Sequence, residues 1–323
     1  MLQDTFHRPI RYLRLSLTEA CPMRCVYCRP AAFLNPRNED RLSPDEIEML
    51  VRYLVERHGL RKIRLTGGDP TNRPDLVEII RRIAAIPAVL DLAMTTNGLT
   101  LARYASAYAE AGLKRVNISL DTLDREKFAR LTGVDGLLRV LAGIDAARQA
   151  GLDPIKLNCV VVRGENDTDL VDLVRFGAKH NLCVRFIELM PMGPLSSMWA
   201  DRYVPERHMR AMLRDMVASW QPLEQGHDAA RRYRVRLHDG SVATIGFITP
   251  MSCNFCCACD RIRIGANGAL YPCLMDEQRG SVLPALRPFF DRALLDAILV
   301  EGLTHKRAEH PHDGFVTMTR IGG

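Results

Sequence analysis

No stretch of this chain approaches the run of roughly 18 apolar residues that a membrane-crossing helix needs. The opening MLQDTFHRPIRY has no apolar h-region, so no secretory signal is expected there. Long Lys/Arg runs with interleaved aromatics are missing, and a net charge of +6 does not by itself argue for nucleic acid. Low-complexity linkers and sequence-level repeats are absent too. The nine histidines form no metal-spaced set, and a solvated loop accounts for His305, His310 and His312 near the tail. Neither a membrane nor a nucleic acid is therefore expected as a partner. The 47% hydrophobic and 25% charged content is that of an ordinary globular protein. With 323 residues there is enough chain for a full core, as one large domain with an appendage or as two domains.

The chain does have ten cysteines, and without a secretory leader these point to metal or redox chemistry in a cytoplasmic setting rather than to disulfides. Cys21, Cys25 and Cys28 form a C-x3-C-x2-C set in CPMRCVYC, just after the apolar RYLRLSL. Three thiolates at this spacing can hold three irons of a [4Fe–4S] cluster and leave the fourth iron for another ligand, whereas clusters that only carry electrons usually take four cysteines. By spacing alone a zinc knuckle or a disulfide loop stays open. A second set lies in SCNFCCACDRIRIGANGALYPC, where Cys256-x2-Cys259 is followed after 13 residues by Cys273. A rubredoxin-like or zinc-ribbon site is its rival. Cys253 would close this second site if it also bound, while Cys257 is a bystander if the stretch is extended. Cys159 and Cys183 fall in apolar strand patterns and are expected to be buried, inert thiols.

Up to about residue 190 short β-rich runs alternate with amphipathic helical stretches. Strands are expected at Tyr12–Leu17, Lys62–Thr66, Asp91–Thr95, Arg115–Leu120, Pro154–Val161 and Cys183–Glu188. Helices are expected near Pro44–His58, Pro74–Ile86, Ala102–Glu110, Gly136–Ala150 and Asp167–His180, with Ser43 and Asp167 as caps. This βα rhythm predicts an α/β fold, a parallel sheet with outer helices in an open or partial barrel, with chemistry at the C-terminal strand ends. After about 195 the texture changes. A helix is expected over Pro205–Ser219, then a hairpin of Tyr233–Leu237 and Val242–Ile248 turning at Asp239-Gly240. A second pair, Arg261–Ile264 and Ala269–Leu274, turns at Asn267-Gly268. This half is expected to pack across the barrel mouth as a smaller, lid-like region.

Taken together, RLSLTEACPMRCVYC, KIRLTGGDP, MTTNG, VNISLD, KLNCVV, RFIELMPMG, FCCACDRIRIGANGALYPCL and the terminal IGG resemble the MoaA family of GTP 3′,8-cyclases, radical S-adenosylmethionine (SAM) enzymes. TGGDP alone would indicate only the radical SAM superfamily; the Cys256/Cys259/Cys273 spacing with RIR behind it and the Gly-Gly end are more specific. The resemblance implies a partial (β/α)6 TIM-like barrel over residues 1–195 and a C-terminal α+β region over 196–323, with two [4Fe–4S] clusters at the two ends of a channel. It implies that Cys21, Cys25 and Cys28 hold the SAM cluster, that Cys256, Cys259 and Cys273 hold the second cluster, and that Tyr27, Gly68, Ser119 and Met190 line the SAM site. Glycine at 68 would let backbone approach the methionyl amine. Arg14, Arg64, Thr95, Lys156, Arg261 and Arg263 match positions that contact GTP, a triphosphate of about four negative charges whose desolvation demands such cations. Arg185 is a weaker candidate, since its place also suits a buried ion pair. Gly322 and Gly323 would thread toward the active site.

The implied reaction is reductive cleavage of SAM to a 5′-deoxyadenosyl radical, removal of the GTP 3′ hydrogen, attack of C3′ on guanine C8, and reduction to 3′,8-cyclo-7,8-dihydro-GTP. A flavodoxin- or ferredoxin-type reductant and a downstream cyclic pyranopterin monophosphate synthase would be partners, with a monomer and a homodimer both open. The chain departs from the family pattern at Asp69, where Glu is common, at CRP after the first triad, at Thr71-Asn72, and at Cys253 and Cys257. These departures bear on the substrate more than on SAM chemistry. The alternatives are a radical SAM paralogue acting on another nucleotide or a peptide, with the second cluster as an electron relay, and a metal-containing nucleic-acid-binding module.

Overall fold

The structure is a computed structural model that describes residues 1–28, 41–224, 226 and 228–311, so His312, Gly322 and Gly323 lie outside the described residues. The first six strands are β1 (Tyr12–Ser16), β2 (Lys62–Thr66), β3 (Asp91–Thr96), β4 (Arg115–Ser119), β5 (Lys156–Val161) and β6 (Cys183–Glu188). Between them run helices α1 (Pro44–His58), α2 (Leu76–Ala84), α3 (Leu101–Glu110), α4 (Arg125–Thr132), α5 (Leu137–Gln149) and α6 (Leu170–His180). Beyond β6 come the short α7 (Trp199–Arg202) and α8 (Glu206–Met212), then β7 (Val217–Pro222), β8 (Ala230–Leu237), β9 (Val242–Ile248), β10 (Arg261–Ile264), β11 (Leu270–Tyr271), α9 (Leu283–Leu286) and α10 (Arg292–Thr304). No helix among the described residues is long and apolar enough to cross a membrane.

All these strands join one open sheet in the order β11-β10-β1-β2-β3-β4-β5-β6-β9-β8-β7. The run from β1 to β6 is parallel throughout, as the βα rhythm predicts. The C-terminal region is continuous with this barrel. Its β9 pairs parallel with β6 and its β10 parallel with β1, so it caps the sheet at both edges while its loops reach the mouth. Both C-terminal antiparallel pairs form, β8 with β9 and β10 with β11.

Parallel strands covered on both faces normally read as continuous apolar runs. Here they alternate instead. Leu13, Leu15, Ile63, Leu65, Val116, Ile118, Leu157, Val184 and Phe186 are fully buried under helix residues such as Leu50, Leu54, Ile80, Ile83 and Ile144. The intervening Tyr12, Arg14, Arg64, Asn117, Ser119, Asn158 and Arg185 turn to the other face and line a cavity. The alternation is thus the sequence signature of a barrel with a polar interior.

Local chemistry explains several boundaries. Ser43 and Glu46 form the reciprocal capping box of α1, with Pro44 in its first turn and Gly59 in the left-handed conformation at its end. Asp167 does not cap α6; its carboxylate accepts from Gly164 N at 2.9 Å, and the helix starts after Asp169. Helix α4 escapes periodicity because only Phe128, Leu131 and Thr132 of its eight residues are buried. The helix expected over Pro205–Ser219 stops at Met212, and β7 follows. Pairing with β8 and the edge-on contact of Trp220 with Tyr233, ring centroids 5.6 Å apart, override its helical pattern.

Phe186 is fully buried, 6.0 Å from Phe247 between ring centroids, and ties β6 to the added strand β9. Phe186→Ala is expected to cost about 3–5 kcal/mol. A lowered urea midpoint with an unchanged slope would report that loss.

Candidate active site

A single cavity of about 340 Å³ borders the polar face of the sheet and is lined by Cys21, Cys25, Cys28, Cys256, Cys259 and Cys273. The register explains how the two triads reach it. Strand β10 runs parallel to β1 with Arg261 opposite Tyr12. Cys21 to Cys28 follow the C-terminal end of β1, whereas Cys256 and Cys259 precede the N-terminal end of β10. The two cysteine-bearing segments therefore flank opposite ends of one strand pair.

The first triad sits on a loop fastened from three sides. Arg24 N donates to Thr132 O at 2.7 Å and Val26 N to Leu131 O at 3.0 Å, which tie the loop to the end of α4. The Tyr27 hydroxyl donates to Asp121 Oδ2 at 2.6 Å, and Asp121 Oδ1 accepts from Val160 N at 2.9 Å. Burial holds the Asp121 carboxyl up at about 6 despite these bonds. Asn97 Nδ2 lies 3.8 Å from Cys21 Sγ. Burial pushes the Cys25 thiol well above its ordinary range, and the charges of Asp121, Cys28 and Cys21 push it further.

The three cysteines line one cavity, and among the described residues no three Cys, His, Asp or Glu side chains close on a single point. Gly68, Ser119 and Met190 line the same cavity as this triad. The structure gives Gly68 a further reason for being glycine. A Cβ there would collide with the carbonyls of Glu19 and Ala20, and Gly68 N donates to Thr18 O at 2.7 Å. The missing side chain lets the strand leading into the triad lie against β2.

At the second triad, burial raises the Cys256 thiol, with Cys273 and Cys259 adding to the rise. Burial would raise Cys259 as well, but Lys306 and Arg261 outweigh it and hold the thiol below its ordinary value. Cys253 is exposed, with its sulfur 3.2 Å from Arg231 Nη1, and Cys257 is exposed as well. Cys159 is fully buried, as expected, but Cys183 stands half-buried beside Arg185 and Lys156 rather than in apolar surroundings. His310 does not sit in a solvated loop. It is buried, with Nε2 2.7 Å from Pro250 O.

Between the triads lies a belt of cations. Arg263, Arg14 and Arg64 stand side by side in register across β10, β1 and β2, and all three line the cavity. Burial and then the Arg263 charge hold Arg14 well below its usual value, and burial brings Arg263 down to about 10. Burial would raise the Tyr12 phenol, yet Arg64, Arg14 and Arg261 together bring it down to about 8. Arg64 Nε donates to the Tyr12 hydroxyl at 2.9 Å, while its buried Nη1 has no hydrogen-bond partner among the described residues. Arg261 lies over the rings of Tyr12 and Phe255 at 5.9 and 5.0 Å. Thr95 lines the cavity and accepts from Asn117 Nδ2 at 3.3 Å. Lys156 is buried one step outside the lining, 4.0 Å from the carboxylate of Asp228, which does line it. Burial, then Arg185 and Arg115, bring Lys156 down to about 8. Arg185 is in no ion pair among the described residues; its Nε donates to Asn158 Oδ1 at 2.9 Å and it lines the cavity.

Two carboxylates, Asp121 and Glu188, escaped the sequence reasoning, and Asp69 entered it only as a departure from the family pattern. Asp121 anchors Tyr27. Asp69 is buried and accepts from Asn97 N, Thr96 Oγ1, Thr71 N and Thr71 Oγ1, so the shorter side chain and the unusual Thr71 belong together. Glu188 at the end of β6 accepts from Met251 N, Ser252 N and Glu206 N, which moors the loop leading to the second triad. SLD, TGGDP and RFIELMPMG carry these residues, but nothing local says what they bond to.

Gly68→Ala should dislodge the segment carrying Cys21. The expected outcome is a lower iron content per anaerobically reconstituted chain, with secondary structure unchanged by circular dichroism.

Comparison with known proteins agrees with this geometry. Residues 15–177 match the radical SAM superfamily model, and residues 182–312 match the model described as Molybdenum Cofactor Synthesis C. A GTP 3′,8-cyclase of Pelotomaculum thermopropionicum is 42% identical over 96% of this chain and 95% of its own. One from Moorella thermoacetica is 40% identical over the whole of both chains. Among solved structures, Streptococcus suis SuiB bound to S-adenosylmethionine shares the fold with a TM-score of 0.65 at 15% identity, covering 91% of this chain and 67% of that one. The match over the full length and across both halves shows that this chain belongs to the GTP 3′,8-cyclase family of the radical SAM superfamily.

Proposed function

We propose that this chain converts GTP to (8S)-3′,8-cyclo-7,8-dihydroguanosine 5′-triphosphate, the first step of molybdenum cofactor biosynthesis. The observation that carries the proposal is the buried row Arg263–Arg14–Arg64, set between two cysteine triads that open on one cavity. Like charges directly opposite one another on a sheet are destabilising. A polyanion placed among them turns that repulsion into binding energy, and a triphosphate offers about four charges to do so.

In this assignment Cys21, Cys25 and Cys28 hold a [4Fe–4S] cluster, with Tyr27, Gly68, Ser119 and Met190 around SAM. Cys256, Cys259 and Cys273 hold a second cluster. When bound, cluster and SAM supply the hydrogen-abstracting radical that no side chain can provide. The protein's part is to bind, orient and exclude water. Arg14, Arg64, Arg261 and Arg263 bind the triphosphate, and Thr95 and Lys156 flank it. Arg185 joins them from β6. The ribose is then held toward the first triad and the base toward the second, so that C3′ and C8 react within one bound molecule. Residues 1–195 supply the radical-forming core, and residues 196–323 supply the second cluster and part of the phosphate belt. Gly322 and Gly323 are required for turnover. The chain works in the cytoplasm with a flavodoxin- or ferredoxin-type reductant, and passes its product to a cyclic pyranopterin monophosphate synthase.

Anaerobic incubation of the reduced, reconstituted protein with SAM and GTP should yield 5′-deoxyadenosine together with a cyclised GTP. SAM cleavage at the same rate without GTP would overturn the substrate.

A second expectation follows from Tyr12 and Lys156, both near 8. As pH rises past 8, Tyr12 gains a negative charge and Lys156 loses its positive one, so both changes oppose an anion. Bound triphosphate favours the protonated form of each, and GTP affinity should fall by roughly tenfold per group between pH 7 and 9. Calorimetric titration of GTP across that range checks this, and Tyr12→Phe should flatten part of the fall.

A further inference from the structure

Lys306 lies just past α10, far in sequence from either cysteine triad, and it is only 4% exposed. Its Nζ donates to three acceptors: Cys259 Sγ at 3.5 Å, Arg261 O at 2.9 Å and Pro272 O at 2.7 Å. No carboxylate pairs with it among the described residues. A buried ammonium whose partners are two carbonyls and a thiol is costly unless that sulfur carries negative charge. Its acceptors also fall on both ligand-bearing segments. Cys259 and Arg261 lie at the entry to β10, and Pro272 is the residue before Cys273.

The surrounding contacts hold Lys306 in place. The Arg8 guanidinium, fixed by Asp4 at 2.6 Å, donates to Arg307 O at 2.6 Å and Ala308 O at 3.0 Å, and to Cys256 O at 2.6 Å. His310 reaches Pro250 O at 2.7 Å. The segment from 305 to 311 is thereby strapped across the second triad, with each ligand-bearing stretch bonded to the strap or to its clamp.

We propose that Lys306 is a positioning residue for the second cluster: it fixes Cys259 and Cys273 relative to one another and, through its charge and its N–H···S bond, stabilises the reduced state of whatever iron–sulfur group they hold. This rests on the assignment of Cys256, Cys259 and Cys273 to a second cluster. Hydrogen bonds and positive charge at cluster sulfurs raise the reduction potential. Removing them lowers it.

The test is an anaerobic redox titration of the reconstituted full chain, following both clusters by electron paramagnetic resonance, with the first cluster as internal control. Lys306→Met removes charge and donors; Lys306→Gln keeps a donor but removes the charge. Either variant should shift the second cluster to a more negative potential and leave the first where it was. If the Met protein loses only its second cluster, Lys306→Arg should restore it. Variants that load both clusters at wild-type potentials would overturn the proposal, as would loss of the second cluster that Arg does not rescue. A wild-type chain holding four irons rather than eight would instead remove the two-cluster assignment beneath it.

Discussion

Much of this architecture answers to one constraint, the placing of several arginines side by side inside a protein. Arg263, Arg14 and Arg64 share one register row and one face of the sheet. Burial and then the Arg263 charge depress Arg14, burial depresses Arg263, and the charges of Arg64, Arg14 and Arg261 draw Tyr12 down. Elsewhere on the sheet an arginine meets a carboxylate, as where Arg115 lies 2.5 Å from Asp91. A row of cations along a cavity wall suits an anionic ligand. The outer face of the same strands carries the apolar packing that offsets the cost.

The second organising theme is the use of buried carboxylates and cations as moorings for loops that bear chemistry. Asp69 gathers the ends of β2 and β3, Asp121 holds Tyr27 within the first triad, and Glu188 holds the approach to the second. Arg8 and Lys306 do the same from the far ends of the chain. Met23 and Tyr27 pack the first cysteine loop, and such bonds from rigid strand ends help to preorganise the sulfurs. These contacts tie the N-terminal core and the C-terminal region into one site.

How much was legible beforehand depended on whether the signal was local. The βα order, the Ser43 cap and both hairpin turns could be read because each is written within a few residues. Helix α4 and strand β7 could not, because one buries too little apolar surface to show a period and the other exists only by pairing with β8. The cysteine triads and the strand arginines were visible through spacing and resemblance. The reason for Gly68, the burial of His310 and the setting of Cys183 were not, since each depends on main chain or charges brought in from elsewhere.

The amino-acid sequence alone determined the alternation that gives the sheet a polar and an apolar face, the two triads and the supply of arginines. Side-chain period and cysteine spacing are local properties of the chain. Tertiary structure decided that β10 lies parallel to β1, in the register that lines Arg263 up with Arg14 and sets the two cysteine segments at opposite ends of the pair. That pairing joins residues about 250 positions apart, and a one-residue slip would send the arginines to the wrong face. Only the folded sheet, with its helices and its C-terminal strap in place, selects the register that makes the cavity.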